Sequence, residues 1–472
     1  MAIGREAFGR GAQMLWAQRR AGRLRRLQHS RLAALVAHAR DCSPLYRDLY
    51  AGLPWSPDLA ALPAVDKRVL NGDFDAWVCD ARLTRSGVEE FLADPGRFGQ
   101  PYLDEYFVCT SSGTTGRPGL FVHDRHACAV YLGMFGRLDA TWLSWRDFAR
   151  MELRGDRVAA VVGTGGHFAG ASWVQFMRTV NPRWRRSWKL VSAQWPTDRI
   201  VAELNAHDPA IVLIYPSSLL QLLVPRERGE LTISPLFIEV GGEAMSRGAR
   251  QRAEAAFGCP VRTVYGASEL DPIAFSCDAD WLHYSSDWAI LEPVQADFTP
   301  TPPGQASDTV LLTNLANRVA PIIRYDLGDS VTMRPDPCPC GSALPALRVA
   351  GRSDESLTFI DAQGGPVVVA PLAIAAAADR VRGTELVQLV QVGASELQVR
   401  LRVSPDYDDR SVWLALQREL RGFLADQGLS NVSVARSDQP AQVSQVSGKF
   451  RRVLRGDDGG DQRAAASPPA RQ

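Results

Sequence analysis

The sequence predicts an α/β protein with a large N-terminal unit of mixed and parallel sheets and a small, mobile α+β unit at the C-terminal end. Three observations lead to this prediction. The chain has 472 residues, which is long for a single hydrophobic core. Short apolar runs alternate with stretches of helix length, as in a sheet with crossover helices. From about residue 350 this alternation gives way to strand-like segments beside one helix.

The first predicted element is a helical lead-in over residues 1–50. Arginine is frequent there, and Glu6 is the only acidic residue before Asp41. Because apolar residues recur at near-helical spacing, we predict an amphipathic helix that packs on the body of the protein with its arginines in water. A basic arm for nucleic acid or lipid is the alternative.

The body of the N-terminal unit, which we place at residues 1–352, is predicted to contain a buried sheet. Its strands are the apolar runs VAAVV (158–162), AIVLIY (210–215), LFIEV (236–240) and VRTVYG (261–266). Segments of helix length separate these runs. The alternation indicates crossover connections.

The C-terminal unit is predicted at residues 353–456, with the boundary near Arg352 to Glu355. Its strands and its helix are predicted at 367–369, 385–392, 396–403 and 411–428. The tail, residues 457–472, is rich in Gly, Asp, Ala and Pro and is predicted to be disordered.

Composition narrows the functional classes. Formal net charge is +1, so whole-chain charge points to neither nucleic acid nor a membrane surface. We find no apolar run of the roughly 18 residues that a membrane helix needs, and no signal peptide. Eight cysteines do not suggest a disulfide scaffold. The sequence therefore predicts a cytoplasmic monomer or homodimer.

A loop rich in hydroxyls and glycines lies at residues 110–119, TSSGTTGRPG. Gly113 and Gly116 allow φ > 0, so successive N–H groups can point at one anion. It is not a Walker A loop, because Arg117 and Pro118 stand where a lysine and a hydroxyl residue would be required. We predict a phosphate-binding loop, with a polar turn as the alternative. The hydroxyl residues are Thr110, Ser111, Ser112, Thr114 and Thr115.

Five further short motifs follow in order. They are GGE (241–243), YGASE (265–269), RYDLGD (324–329), GRSDE (351–355) and SGKFRR (447–452). In this order and at these separations they resemble the motifs of the adenylate-forming superfamily of acyl-CoA ligases. The segments LRRLQHSRLAALVAHARDCSPLYRDLY, LPAVDKRVL and APIIRYDLGD are similar to the phenylacetate-CoA ligase branch. The resemblance extends from about residue 20 to residue 456.

This resemblance implies a reaction in two steps. A carboxylate attacks the α-phosphate of ATP to give acyl-AMP and pyrophosphate, and a nucleophile, often the thiol of CoA, then displaces AMP. The implied partners are ATP, Mg²⁺, CoA and a carboxylic acid, which the branch suggests is aromatic. Transfer to an amine, a hydroxyl or a carrier-protein thiol is the alternative. A catalytically silent nucleotide-binding scaffold is a third hypothesis, and the retained motif residues argue against it.

The resemblance also implies roles for single residues. The loop would hold the β- and γ-phosphates, and Glu269 would help to hold Mg²⁺ unless it is a plain solvated acid. Asp329 would accept hydrogen bonds from the ribose, and Arg352 would reach the ribose and phosphates. The implied ATP-binding set also contains Gly241, Gly242, Glu243, Tyr265 and Gly266.

Lys449 is the implied catalytic cation, supplied by the C-terminal unit to neutralise charge between the carboxylate and the α-phosphate. Asp354 is the implied hinge, about which the small unit would turn between the two steps. One departure concerns Gly119, because many superfamily members carry a lysine at that end of the loop.

Four cysteine and histidine residues form two pairs with metal-ligand spacing. Five residues separate Cys277 from His283, and Cys338 and Cys340 flank one proline in PCPCGS. Two pairs of this kind suit a tetrahedral, structural Zn²⁺. Four unlinked residues are the alternative, since free cysteine is often buried.

The acyl pocket is predicted from GTGGHFAG (163–170) and IYPSSL (214–219). An aromatic acid would fit an aromatic slot bounded by glycines. Its candidate residues are Gly165, His167, Phe168, Tyr215 and Ala267. The segment NPRWRRSWKL (181–190) alternates basic and tryptophan residues. This pattern is compatible with binding of single-stranded nucleic acid or of the phosphates of CoA, but a solvent-exposed amphipathic face is the favoured interpretation.

Overall fold

The structure is a computed structural model that describes residues 14–15, 18, 20–111, 118–164, 166–352, 356–444 and 449–456. The predicted tail and the predicted hinge Asp354 lie outside these residues. The predicted α/β fold class is confirmed.

The lead-in is helical but divided. Its helices are α1 (Ala21–Cys42), α2 (Pro44–Leu49), α3 (Lys67–Gly72), α4 (Phe74–Trp77) and α5 (Arg85–Ala93), with 3-10 turns at Leu59–Ala61 and Pro95–Arg97. Helix α1 is amphipathic as predicted, since Leu24, Leu35 and Val36 are buried while its arginines, apart from Arg40, are exposed or half-buried. Asp66 caps α3 by accepting a hydrogen bond from the N–H of Val69.

One disulfide joins the end of α1 to the chain after α4. Cys42 and Cys79 are bonded, with their Cα atoms 4.9 Å apart. The cysteine count alone gives no sign of this pair, because the two residues meet only through the packing of the lead-in. It is a single cross-link, so the remaining fold depends on its hydrophobic cores.

The phosphate-loop candidate connects two strands of an antiparallel ribbon, β1 (Phe107–Thr110) and β2 (Leu120–His123). Two helices follow, α6 (Arg125–Trp142) and α7 (Trp145–Leu153). Asp124 caps α6, and Ser144 with Asp147 forms a capping box on α7. The ribbon therefore holds both ends of the candidate loop at one place.

The predicted parallel strands are present and are joined by helices. In chain order the elements are β3 (Val158–Val162), α8 (Ala169–Val180), α9 (Pro182–Ser187), β4 (Trp188–Ser192), α10 (Thr197–His207), β5 (Ile211–Ile214), α11 (Pro216–Gln221), α12 (Leu223–Glu227), β6 (Phe237–Gly241), α13 (Arg247–Phe257) and β7 (Val261–Ala267). The strands pair in parallel in the order β4-β3-β5-β6-β7. Their C-terminal ends therefore share one edge of the sheet, where ligands bind in such folds.

Antiparallel strands complete the N-terminal body. They are β8 (Leu270–Ser276), β9 (Leu282–Tyr284), β10 (Ala289–Val294), β11 (Thr309–Asn314), β12 (Ile322–Asp326), β13 (Asp329–Met333) and β14 (Ala346–Arg352). The large sheet has the order β13-β14-β9-β8-β7-β6-β5-β3-β4, and β10, β11 and β12 form a separate three-stranded sheet.

The C-terminal residues have a core of their own. The elements are β15 (Leu357–Ile360), β16 (Pro366–Val369), α14 (Pro371–Ala378), β17 (Thr384–Gly393), β18 (Glu396–Val403), α15 (Asp409–Asp426), β19 (Ser433–Arg436) and β20 (Val453–Arg455). Helix α15 packs its buried leucines on a four-stranded sheet of order β19-β18-β17-β20. Among the described helices, none combines the length and the apolar composition that a membrane crossing requires.

Candidate active site

A large cavity opens at the C-terminal edge of the parallel strands. Its volume is about 2210 Å³. It extends from the base of the candidate loop, past the short motifs, into the space between the sheet and helices α6 and α8. The described motif residues that line it are Thr110, Ser111, Gly241, Gly242, Glu243, Tyr265, Gly266, Glu269, Asp329, Arg352 and Lys449. The sequence motifs thus meet at one site.

The base of the candidate phosphate loop is closed by two hydrogen bonds. The N–H of Ser111 donates to the carbonyl of Gly119 at 2.9 Å. The N–H of Gly119 donates to Oγ of Ser111 at 2.8 Å. The predicted phosphate ligands Ser112, Gly113, Thr114, Thr115 and Gly116 lie outside the described residues.

A lysine from another element lies beside the end of this loop. A Cβ atom placed on Gly119 would be 3.1 Å from Cδ of Lys67, the first residue of α3. Lys67 also lines the cavity. Its side chain therefore passes the position where the superfamily resemblance leads one to expect a lysine. Sequence reasoning missed Lys67 because the contact depends on how α3 packs on the ribbon.

The candidate ribose site combines residues from three strands. The hydroxyl of Tyr265 donates to Oδ2 of Asp329 at 2.6 Å. Nη1 of Arg352 lies 3.7 Å from Oδ1 of the same carboxylate. Burial, and then the charge of Asp329, hold the pKa of Tyr265 well above its usual range. The phenol therefore stays a donor that orients Asp329 toward the cavity.

Glu269 is a buried carboxylic acid at the cavity wall. Its side chain is 8% exposed. Burial raises its pKa, and a hydrogen bond with Tyr325 opposes that shift. A hard cation at this position would favour the charged form. The carboxyl group thus has the chemistry expected of a Mg²⁺ ligand.

Lys449 enters the cavity from the C-terminal segment. Its Nζ lies 5.9 Å from the centroid of the Tyr215 ring. A Cβ atom on Gly242 would be 3.4 Å from its Cε, so glycine leaves the room that this side chain occupies. Burial lowers the pKa of Lys449, while Glu243 is the largest influence that raises it.

Glu243 holds the backbone beside Lys449. Its carboxylate accepts hydrogen bonds from the N–H of Phe450 at 2.8 Å and from the N–H and Oγ of Ser217 at 3.0 Å each. The motif predicts that Glu243 binds ATP, but the donors that its carboxylate contacts here are protein groups. Glu243 therefore positions the segment that carries Lys449.

The acyl-pocket candidates separate into two groups. Phe168, Tyr215 and Ala267 line the cavity. His167 does not line it, which corrects the prediction: its ring packs against Phe98, with centroids 5.4 Å apart. The reason is the bridge between Thr110 and Phe168, since successive side chains along an extended segment point to opposite sides. Gly165 lies outside the described residues.

Residues 181–190, the basic and aromatic segment, form α9 and the start of β4. The tryptophans and the basic residues of this segment lie on different sides. Trp184 and Trp188 line the cavity, with ring centroids 5.6 Å apart. Lys189 pairs with Glu203 at 2.5 Å. The tryptophans thus form part of the cavity wall, and the arrangement supports the amphipathic interpretation.

The four metal-ligand candidates, of which His283 lies on β9, come together in one cluster. Their ligand atoms all lie within 4.8 Å of one another. The sulfur atoms of Cys277 and Cys338 are 3.7 Å apart, and Nε2 of His283 is 3.1 Å from Sγ of Cys340. Tetrahedral zinc with bonds of about 2.3 Å requires sulfurs about 3.8 Å apart. Nδ1 of His283 lies 2.8 Å from the carbonyl of Leu344, which suits a ring that binds metal through Nε2.

Comparison with known proteins agrees with this geometry. No family model matches the chain. The chain is 26% identical over 360 residues to a phenylacetate-coenzyme A ligase of Pseudomonas putida, covering 71% of this chain and 72% of the relative. A phenylacetate-coenzyme A ligase of Thermus thermophilus is 24% identical over 353 residues, with coverage of 71% and 72%.

Among solved structures, a 2-hydroxyisobutyryl-CoA ligase in the postadenylation state superposes with a TM-score of 0.66 at 21% identity, covering 90% of this chain and 88% of that chain. The chain has the fold of the adenylate-forming CoA ligases. The resemblance predicted from the motif order is thereby confirmed. The same ligase in its thioesterification state gives a TM-score of 0.50 over 91% of this chain.

Proposed function

We propose that this protein is an AMP-forming ligase that activates a carboxylic acid as acyl-AMP with ATP and Mg²⁺ and transfers the acyl group to CoA. One observation carries the proposal. A buried carboxylic acid, a ribose-type carboxylate and a C-terminal lysine line one cavity, which continues into an aromatic pocket. The relatives described above are named as CoA ligases, which favours CoA as the acceptor.

In the first step, a carboxylate oxygen of the acid attacks the α-phosphorus and pyrophosphate leaves. Lys449 would hold its ammonium group where negative charge develops, and burial strengthens such an interaction. Asp329 would orient the ribose, with Tyr265 and Arg352 holding its carboxylate. Mg²⁺, when bound, would neutralise phosphate charge, and Glu269 would be its protein ligand.

In the second step, the thiolate of CoA attacks the acyl carbon, the bond to the carboxylate oxygen breaks, and AMP leaves. We infer that the C-terminal unit turns away from the cavity between the steps. Its contacts with the N-terminal body include polar ones, since Ser246 donates a hydrogen bond to Asp379 and Arg228 pairs with Asp406. The hinge assignment to Asp354 and the boundary after residue 352 are part of this proposal.

We further infer a structural Zn²⁺ on Cys277, His283, Cys338 and Cys340. The donor set, three sulfurs and one imidazole, is one that closed zinc sites use. The cluster joins the loop after β8, strand β9 and the turn before β14. The metal would therefore hold together three consecutive strands of the large sheet, of which β8 lies next to the motif-bearing strand β7.

The function is tested by measuring acid-dependent pyrophosphate release with ATP and a panel of aromatic acids, with and without CoA. We expect pyrophosphate and AMP as nucleotide products, and a thioester when CoA is present. Amide, ester or carrier-bound products in place of the thioester would identify another acceptor. ADP and phosphate as products would overturn the proposal.

A further inference from the structure

The acid pocket is built in layers along the parallel strands. On β6, Gly241, Glu239 and Phe237 point to the same side of the sheet, because side chains alternate along a strand. All three line the cavity. The intervening residues Ile238 and Val240 belong to the core on the opposite face. Glu239 therefore lies one layer below Gly241, about 7 Å farther from the nucleotide motifs.

The layer that contains Glu239 is apolar on β5 and β3 but not on β7. On β7 the register partner of Glu239 is Arg262, whose guanidinium pairs with Asp278. On β5 the register partner is Leu213, and Ala160 is paired with Leu213 on β3. Leu213 and Ala160 both line the cavity. On the opposite wall, α6 presents Phe135 and Asp139 to the same space. The pocket thus places two carboxyl groups between hydrocarbon surfaces.

These two carboxyl groups have no bonded partner among the described residues: no hydrogen bond or ion pair joins the side chain of Asp139 or Glu239 to another described group. Burial raises the pKa of Asp139 to about 7. Burial, with the nearby Asp139 and Asp271, raises the pKa of Glu239 well above its usual range. Both side chains are half-buried and face the cavity. A ligand that fills this part of the cavity would remove the two carboxyl groups from water, so it must offer them hydrogen-bond partners.

We propose that the acid activated by this protein carries a hydrogen-bond donor, an amino or hydroxyl group, at the end remote from its carboxylate, and that Glu239 and Asp139 accept from it. This inference rests on the proposed function. The reacting carboxylate lies near Gly241 and Lys449, and the donor lies one strand layer deeper. The acid must therefore be compact, with about 7 Å between its carboxylate and its donor group. A ring that carries the donor opposite the carboxyl group suits this distance.

The cavity continues below Glu239. There it is lined by Val158, Ile211 and Phe237, with Phe148 and Met151 contributed by α7. This lower layer is apolar, so it offers a second polar group no partner. The donor is thus expected at the level of Glu239 and not at the end of a long chain.

The test measures kcat/KM for pyrophosphate release with matched acids. The panel contains benzoate and phenylacetate, their para-amino and para-hydroxy derivatives, and para-aminomethylbenzoate as a charged amine. We expect the best donor-bearing acid to exceed its unsubstituted parent by about 10- to 100-fold, as for a buried acceptor that is satisfied or left unpaired. The derivatives distinguish an aromatic amine, a phenol and an alkylammonium group.

Glu239→Leu removes the acceptor at similar volume. We expect it to reduce or reverse the preference while raising kcat/KM for the unsubstituted acid, and Asp139→Leu to act in the same direction. Ile238→Val, on the opposite face of β6, is the control and should keep the wild-type preference. Because each leucine replaces a half-buried carboxyl that has no hydrogen-bond partner among the described residues, both variants should fold, which the melting temperature checks.

Equal use of parent and substituted acids by the wild type, or an unchanged preference in Glu239→Leu, would overturn this inference while leaving the ligase activity in place. Absence of pyrophosphate with every acid would instead contradict the proposed function, and the inference would fail with it. The two failures are therefore distinguishable in one assay.

Discussion

The backbone N–H of Phe450 donates a hydrogen bond to Oε1 of Glu243 at 2.8 Å. This bond connects the GGE motif of the N-terminal body to the C-terminal segment, one residue from Lys449. Ser217 donates two further hydrogen bonds to the same carboxylate. Glu243, which is half-buried, thus fixes the backbone from which the candidate catalytic lysine reaches the cavity.

Lys449→Ala is expected to slow acyl-AMP formation by about 10²- to 10³-fold, because a cation acting on transition-state charge contributes on that scale. The same variant, given chemically prepared acyl-AMP, should transfer the acyl group to CoA at a near-normal rate. Arg455→Ala, an exposed residue of the same segment, is the control for both assays. Equal slowing of both steps would show that Lys449 is not specific to adenylation.

Lys67→Ala is expected to raise KM for ATP and to lower kcat for pyrophosphate release by about tenfold, since one charge-assisted contact to phosphate would be lost. The control is Arg25→Ala, an exposed residue of α1 that does not line the cavity. Lys67→Arg should restore part of the loss. If Lys67→Ala and Arg25→Ala have the same kinetic constants, Lys67 has no role at the phosphates.

Protein washed with a mild chelator is expected to retain about one zinc per chain, as a closed structural site does. Cys338→Ser should lose the metal and lower the melting temperature, because one ligand of four is removed. Cys259→Ser, a buried free cysteine outside the cluster, should keep the zinc. Elemental analysis decides the matter, and a Cys338→Ser protein with a full zinc content would exclude the site.

The stability of the free protein is expected to fall as pH rises from about 4 to 7, in part because of Asp139. Its pKa is raised from 3.8 to about 7 by burial. Within that window the unfolded state has released the proton that the folded state still binds, so the free energy of unfolding decreases with pH. Asp139→Asn should flatten this dependence in urea unfolding at pH values from about 4 to 8. A pH dependence identical to wild type would contradict the raised pKa of this side chain.

The sequence was sufficient for the parts of the fold that depend on local pattern. The runs that form β3 and β5 are continuous and apolar, because both faces of a parallel sheet are covered. Those that form β6 and β7 are mainly apolar but contain Glu239 and Arg262. The motif order identified the fold for a related reason. The motifs of the N-terminal body lie at or directly after a strand, SGKFRR directly precedes β20, and described residues of all of them line one cavity. The cysteine and histidine spacing likewise predicted a cluster that the structure assembles.

Features that depend on packing between distant segments were not predictable in this way. Lys67 reaches the loop base only because α3 packs beside β2, and His167 turns away from the cavity because its neighbour Phe168 bridges to β1. Glu239 carried a signal that could have been used: an acid inside the apolar run LFIEV is unusual for a buried strand. Its meaning emerges only when α6 brings Asp139 to the same space.

The central claim, that the acid is activated through acyl-AMP, is tested most directly by isotope transfer. The acid is labelled with heavy oxygen in its carboxylate and incubated with ATP, Mg²⁺ and CoA, and the products are analysed by mass spectrometry. Attack on the α-phosphorus followed by cleavage of the acyl–oxygen bond predicts one labelled oxygen in AMP and none in pyrophosphate. Label in inorganic phosphate, with ADP as the nucleotide product, would contradict the account.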